Sequence, residues 1–487
     1  LKGHIYHLRV TKRAGYIAPE NFGRLLKAIA RDPTPESHAL HVPSAAGLSQ
    51  LDQVSRAHLL RRHDESFDEK LGGLRTAQKF IDRDSVEYAL VHADNASEQI
   101  KATKTLDAAR VLIDPVWGGA YQYSTGSVWS NAHFEKIMRT QAGNLRVYAL
   151  AYGRLGRKTD LDAANAIKRY LFEFLRAPNG AFRVSQDADV VPGQKSAVYF
   201  ALDDAARRRI GIPRIDPNLY ADANGLAAEA LATLYGFSGD VAALDAARAA
   251  TNWALAQRKG EDGLLRHGDA TEKYPHLSDS LFVARAALAL YEVTAERRWL
   301  SVADALAQVI NRRLRAPAAG FVTELAEPGV PVRPMPDLAE NIAAARFFNR
   351  LAHYMANTAH RDAALHAMRY LAGHASRKLD FEEAGILLAD EELSRDPVHL
   401  TVVGARTDTV AKTLFDTALK VDGAYRRIEW WDREEGPLPN SDVEYPKFEK
   451  AAAYVCTAGR CSRPSYEAVD YATQIKRLTR VTNAASN

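Results

Sequence analysis

Apolar side chains return every three or four residues through most of this chain. Phe134, Met138, Ala142, Leu145, Tyr148, Tyr152 and Leu155 form one such series, and Leu277, Leu281, Ala284, Leu288 and Tyr291 form another. Those steps place each set on one face of an α-helix. The rhythm recurs near 51–63, 97–112, 160–176, 221–236, 241–258, 297–314, 338–356 and 361–378. Glycine links punctuate the runs: Leu71-Gly72-Gly73-Leu74, Trp117-Gly118-Gly119-Ala120-Tyr121, Pro178-Asn179-Gly180-Ala181-Phe182, Glu261-Asp262-Gly263-Leu264 and Ala318-Ala319-Gly320-Phe321. Glycine followed by an apolar residue suits a tight turn entering a short strand. The gaps between links, about 45 to 85 residues, hold one or two helical hairpins each. Their inequality argues against a solenoid of fixed period. A helix pair, a glycine turn and another helix pair is the rhythm of an α/α repeat.

The two ends depart from this rhythm. Residues 1–35 read as a short strand pair (Ile5–Val10, then Tyr16-Ile17) and a helix from Glu20 to Ala30, broken by Pro33 and Pro35. They look like the tail of another domain. His399–Gly404 is a β run ending in glycine, Thr407–Ala418 reads as a helix, and Tyr425–Trp431 and Ala451–Cys456 are further strand candidates. The expected organisation is a remnant at 1–35, a helical body at 50–398, and a small α/β appendage at 399–487 whose last helix returns to the body.

Composition narrows the functional classes. Hydrophobic residues are 47% and charged residues 25%, ordinary for a globular protein. Net charge is +4 (64 basic against 60 acidic), without the basic stripe that nucleic acid requires. The run Ala206-Arg207-Arg208-Arg209 reads as a solvated helix face. No segment reaches the ~20 apolar residues of a membrane span; the nearest, Leu281–Val293, contains Arg285 and reads as a core helix. The chain opens on Leu1 with no visible signal peptide, so it is expected either to have been trimmed or to continue upstream. The compartment stays open, a cytoplasmic one being the nearer expectation. Cys456 and Cys461 are spaced too widely for a thioredoxin-type Cys-x-x-Cys and lack companion zinc ligands, which leaves a structural disulfide or two buried thiols.

One segment carries a family resemblance. Gly118-Gly119-Ala120-Tyr121-Gln122-Tyr123-Ser124, Trp129 and His133-Phe134-Glu135-Lys136-Ile137-Met138 resemble the signature of the thioredoxin-domain-containing family of spermatogenesis-associated protein 20 and bacterial YyaL. Phe67-Asp68, Gly72-Gly73, Gly180-Ala181-Phe182, Asp187-Ala188-Asp189, Asn224-Gly225-Leu226, Asp279, Leu290-Tyr291-Glu292, Trp299-Leu300 and Val455-Cys456 with Cys461 and Pro464 follow in the family's order, from about residue 60 to 465. The resemblance implies an (α/α)6 toroid like those of N-acylglucosamine 2-epimerase and six-hairpin glycosidases, preceded by a thioredoxin-like domain whose cysteine-bearing part is missing here. Gly126, Ala132, Thr140, Val190, Lys195-Ser196 and Ala223 depart from the family pattern. Several of these swaps remove an acid or an aromatic of the kind a sugar site uses, so the implied pocket is partly degenerate.

Against that frame, the candidate catalytic residues are His133, Glu135, Asp187 and Asp189. The candidate substrate-binding residues are Trp117, Tyr121, Tyr123, Trp129, Asn224 and Asp279. Aromatic plates and carboxylates are what sugar recognition requires, yet the same aromatics also suit the packing of a ring wall. On a helix His133 and Glu135 diverge by about 200°. Asp187 and Asp189, two apart in an extended loop, point the same way. An epimerase or isomerase needs a base and an acid beside a carbonyl, for which His133 with His267 or His276 are the candidates. A glycosidase needs two carboxylates, for which Asp187 or Asp189 with Asp279 or Glu135 are the candidates. Neither pattern calls for a metal or another cofactor. The expected partner is a small sugar; the alternative is a non-catalytic scaffold that acts through a protein partner.

Overall fold

The computed structural model describes residues 19–31, 48–191, 193, 196–269, 271, 273–326, 334–377, 379, 381–421, 425–457 and 460–485. Helix α1 (Pro19–Arg31) falls where the sequence places a helix, and the strand pair expected before it lies outside the described residues. Among the described residues, twelve helices build a double ring. Six form its inner wall: α3 (Arg83–Val91), α5 (Met138–Leu155), α9 (Ala221–Ser238), α11 (Leu277–Thr294), α13 (Leu338–Met355) and α15 (Glu383–Ser394). Each packs on the next, and α15 packs on α3, so the wall closes. The outer helices α4 (Ala96–Ala109), α6 (Lys158–Tyr170), α10 (Val241–Gln257), α12 (Arg297–Arg313) and α14 (Thr358–Ala372) each back the inner helix that precedes them. Helix α2 (Gln53–Ser66) backs α15, so the first ring helix completes the last hairpin. The fold is the (α/α)6 toroid.

Inner helix α11 is apolar almost all round because it is covered on both sides; it buries Leu277, Leu281, Ala284, Leu288 and Tyr291 together with most of the residues between them. Alanines line the contacts between α5, α9 and α11 and let these helices approach closely.

The glycine links are the joints between outer and inner helices. Five close as miniature hairpins, bridged at Phe67–Leu74, Ile113–Ala120, Arg176–Phe182, Lys259–Leu265 and Arg315–Phe321. Gly118 has φ +74°, and a Cβ there would sit 2.1 Å from the Ala166 carbonyl oxygen, so no other residue fits. Four joints share a pin that the sequence did not announce. The fourth residue of the following inner helix bonds the backbone just past the glycine: Gln141 to Ala120, Asn224 to Phe182, Ser280 to Leu265 and Asn341 to Phe321. The first two joints also share a buried lysine clamp. Lys79 spans Asp68 and the Gly72 carbonyl, and Lys136 spans Asp114 and the Gly118 carbonyl. All these joints lie at the end of the ring where the inner helices begin, and they fix that rim.

Between α6 and α9 the chain leaves the ring. Strands β1 (Tyr123–Ser124) and β2 (Ala132–His133) pair before α5, and β3 (Lys136–Ile137) pairs with β4 (Ser185–Gln186), which pairs with β5 (Ile215–Asp216). Helices α7 (Ser196–Phe200) and α8 (Asp204–Ile210) lie between β4 and β5. Arg207, read from sequence as part of a solvated face, is instead buried and bonded to Asp114 and the Phe200 carbonyl, against the Trp117 ring. Only part of that basic run meets water, because α8 folds back onto the ring.

After α15, β6 (Val398–Val403), helix α16 (Thr409–Leu419), β7 (Arg426–Trp431), β8 (Ala452–Thr457) and β9 (Arg460–Cys461) form a four-stranded sheet of order β7-β6-β8-β9, with β6 and β7 parallel. This sheet docks on the opposite end of the ring, where Tyr354 Oη accepts the Ile428 N–H at 2.9 Å. Helix α17 (Ala468–Ala485) packs on α16 and β8, within the appendage, where the sequence pattern alone returns it to the ring. Cys456 and Cys461 face each other across the β8–β9 pair and are bonded.

Candidate functional site

The six inner helices start at one rim, so their N-terminal N–H groups and the positive ends of their dipoles surround one opening. A cavity of about 500 Å³ lies there, walled by Arg83, Arg139, Phe282, Thr323 and Glu340 among others. Its floor is a lattice of ion pairs across the bore. Glu87 takes Arg146 at 2.6 Å and Arg346 at 2.7 Å, Arg346 also holds Glu392 at 2.7 Å, and Arg285 holds Glu229 at 2.8 Å. Burial alone would raise the Glu87 pKa, but the two guanidiniums outweigh it and hold the carboxyl well below the carboxylate range. These pairs cross the bore at the base of the cavity and make it a cup.

At the rim, the N-terminal turns of α9 and α11 and the loop between α10 and α11 bring three side chains together. Asp279 Oδ1 lies 3.0 Å from His267 Nδ1, and Asp222 Oδ1 lies 3.6 Å from the same nitrogen. The Asp222 backbone N–H donates to Asp279 Oδ1 at 3.1 Å. One donor atom from each of the three side chains falls within 4.8 Å of the others. Asp279 is fully buried, and its Oδ2 has no hydrogen-bond partner among the described residues. Burial raises its pKa, although His267 pulls the other way. The His267 ring stacks on Tyr220 with centroids 4.0 Å apart and meets His276 edge-on at 5.7 Å. His276 Nδ1 stands 3.5 Å from Glu324. Arg139 Nη2 reaches to 3.9 Å from Asp222. On α13, the next inner helix after α11, burial and the neighbouring Asp337 push Glu340 up to about 7. Burial, with Asp84 adding to it, does the same for Asp82.

The residues singled out from sequence divide sharply. Asp279 is in this cluster, with His267 and His276. His133 and Glu135 are elsewhere: α5 begins only at Met138, so the two lie on extended chain, where residues two apart share a side. Their side chains converge at 3.6 Å instead of diverging as they would on a helix, and His133 stacks on Tyr123 at the surface. Asp187 is occupied by Arg214 at 2.9 Å, and Asp189 takes the Ser196 hydroxyl; the two carboxylates therefore do not act as one pair. Trp117, Tyr121 and Trp129 are buried in the wall. Trp117 bonds Asp204 at 2.6 Å, Tyr121 packs edge-on against Phe134, and Trp129 bonds the Leu71 carbonyl at 2.9 Å. Lys136, enclosed with Trp117, Tyr121 and Tyr170, is pushed down to about 8 by burial. Asn224 is fully buried and spends its amide on the Phe182 joint. Of the family departures, Lys195 lies outside the described residues. Asp222 and Glu340 were missed. Their only signal in sequence is an acid in the first turn of an inner helix, which also serves as an ordinary dipole partner.

By architecture this is an (α/α)6 toroid, and solved structures share it. The structure resembles D-mannose isomerase (TM-score 0.54, 11% identity, covering 70% of this chain and 96% of that one) and the cellobiose 2-epimerase of Spirochaeta thermophila (TM-score 0.54, 12% identity, 69% and 94%). It also resembles the GH76 α-mannanase BT2949 of Bacteroides thetaiotaomicron (TM-score 0.52, 12% identity, 70% and 94%). At these identities the likeness is one of fold. In sequence the chain is similar to spermatogenesis-associated protein 20. The rat protein is 32% identical over 171 residues (32% of this chain, 21% of that protein), and the human protein is 33% identical over 150 residues (28% and 19%). The motif resemblance is thereby borne out, and the match spans about a fifth of the length of these relatives. No family model matches the chain. No described helix is long and apolar enough to cross a membrane.

Proposed function

We propose that the cup binds a small carbohydrate and exchanges the proton beside its carbonyl carbon, as an epimerase or isomerase does. The observation that carries this reading is the pair of histidines at the rim, 5.7 Å apart, each beside its own carboxylate. With its Nδ1–H donated to Asp279, His267 is held in the tautomer whose Nε2 carries the basic lone pair. His276, half exposed and beside Glu324, is placed to return the proton. A positioned base of this kind contributes roughly 10²–10⁴-fold to such a step. The positive helix ends around the opening and Arg139 favour the enolate oxygen that proton removal creates. Glu340, held near neutrality by burial, is suited to hydrogen-bond sugar hydroxyls as donor or acceptor.

A second reading, a non-catalytic scaffold with a protein partner, has one observation in its favour. Trp117, Tyr121 and Trp129, the aromatic plates a sugar site would use, are spent on the wall. Deuterium incorporation separates the two. The chain is incubated in D2O with aldoses, ketoses and disaccharides and followed by proton NMR. Exchange at the carbon next to the carbonyl is expected, and it is expected to be lost in His267→Gln and His276→Gln proteins that keep the parental circular dichroism. No exchange with any sugar, together with no thermal stabilisation by any of them, gives the scaffold reading the field.

A further inference from the structure

We infer that Asp222, His267 and Asp279 form a binding site for a divalent first-row transition cation, of the Mn²⁺ or Zn²⁺ kind. Three observations meet here. The first is spacing. Metal–ligand distances of about 2.0–2.2 Å put neighbouring donors about 3.0–3.5 Å apart. The imidazole nitrogen stands 3.0 Å from one carboxylate oxygen and 3.6 Å from the other, so little movement is needed to seat an ion. The second is the orphaned acceptor. Asp279 has no exposure, and its Oδ2 lacks any hydrogen-bond partner among the described residues. A buried carboxylate oxygen with nothing to satisfy it is costly, and a cation chelated by both Asp279 oxygens, Oδ1 in the cluster and Oδ2 beside it, supplies the missing partner. The third is rigidity. Asp222 and Asp279 sit in the first turns of two inner helices packed on each other, and the backbone of one is bonded to the side chain of the other. The two carboxylates are therefore held by the ring wall, and His267 reaches them from the loop before α11.

The donor set selects the ion. Two carboxylates with one imidazole suit Mn²⁺, Fe²⁺ or Zn²⁺ better than Ca²⁺, which prefers six to eight oxygens. Arg139, at 3.9 Å from Asp222, lies beyond hydrogen-bond distance; Asp222 Oδ1 accepts the Ala223 N–H at 2.6 Å and keeps a second lone pair for the ion. The spacing that seats the ion also serves a His267 N–H···Asp279 bond without it, so binding expels that proton. The inference goes beyond the proposed function and does not depend on it, since no sugar is required. Where both hold, an ion on Nδ1 displaces the N–H that orients His267 and suppresses the exchange, so the two do not operate at the same moment.

The test is water-proton relaxation with Mn²⁺ and calorimetry with Zn²⁺ on the full chain, without sugar. One Mn²⁺ per chain is expected, weakened by about tenfold or more in Asp222→Asn and in His267→Gln. His133→Ala, which removes the exposed pair with Glu135, is expected to leave that binding unchanged. Asp279→Asn is expected to behave like the other two; if burial makes it unfold, the partly exposed Asp222 and His267 variants carry the test, with circular dichroism confirming their fold. No saturable binding of either ion up to about 1 mM, or binding that survives both Asp222→Asn and His267→Gln, overturns the site.

Discussion

Asn224 and Asn341 offer a sharp test of how the ring is held, because they make the same bonds at two joints. Asn224 accepts the Phe182 N–H at 2.7 Å and donates to the Phe182 and Tyr220 carbonyls at 3.0 and 2.9 Å. Asn341 accepts the Phe321 N–H at 2.7 Å and donates to the Phe321 and Asp337 carbonyls at 3.0 and 2.8 Å. Both are fully buried. Alanine at either position strips the partner from a buried N–H and a buried carbonyl at once. Each such orphan costs about 1–3 kcal/mol, so each variant should lose roughly 2–6 kcal/mol, and the two losses should match. Urea unfolding reads the sum, with the slope expected to stay at the parental value. Hydrogen exchange reads the place: protection should fall around 176–183 in Asn224→Ala and around 315–322 in Asn341→Ala. The reasoning is refuted if Asn224→Ala costs under about 1 kcal/mol while Asn341→Ala costs several. A stable Asn224→Ala chain that loses sugar binding would return Asn224 to the substrate-contacting role that sequence first suggests.

Two further outcomes follow from buried charge. Arg346→Ala leaves Glu87 with one guanidinium fewer and Glu392 without its partner in the bore, and should cost about 3–5 kcal/mol in urea unfolding. A loss under ~1 kcal/mol would mean that water already reaches the lattice. Glu340 has its pKa raised from 4.5 to about 7, so the folded chain holds more protons than the unfolded one between those values. Its contribution is full below about 4.5 and is lost as pH rises through 7. Glu340→Gln should therefore melt higher than the parent at pH 8 and show no advantage at pH 4; equal gains at both would remove the carboxyl from the explanation.

Much of the scaffold was legible because it depends on local rules. The glycine links mark the joints, and the period of three and four residues marks ten ring helices within a few residues of their ends. The runs His399–Gly404, Tyr425–Trp431 and Ala451–Cys456 fall on β6, β7 and β8. Helices α3 and α15 escaped because they are short and carry Asp84, Glu87 and Glu392, which face the bore, and Asp390, which is spent on α2. The site was harder to read for a related reason. Asp222, His267 and Glu340 gain meaning only when ring closure brings the starts of distant helices together, and no spacing along the chain records that meeting. Trp117, Tyr121 and Trp129 misled because a bulky ring beside glycine serves wall packing as well as it serves a sugar. His133 and Glu135 were placed on a helix that begins a few residues later.

The seam between α2 and α15 bears on how the chain is made. Asp390 on α15 accepts the Leu51 N–H at 2.9 Å and the Arg56 guanidinium, across 339 and 334 positions of chain. During synthesis, α2 leaves the ribosome with Leu59 facing nothing, and its partner arrives only after that whole length has been added. At ~5–20 residues per second, the wait is roughly 17–70 s. Through that interval the nascent ring is an open arc with an adhesive apolar edge at each end. The same arc can close on its own tail or on a neighbour's, so the cell's risk with this protein lies in crowded polysomes more than in the finished molecule. A chaperone that shields α2 until α15 emerges would govern yield without touching stability.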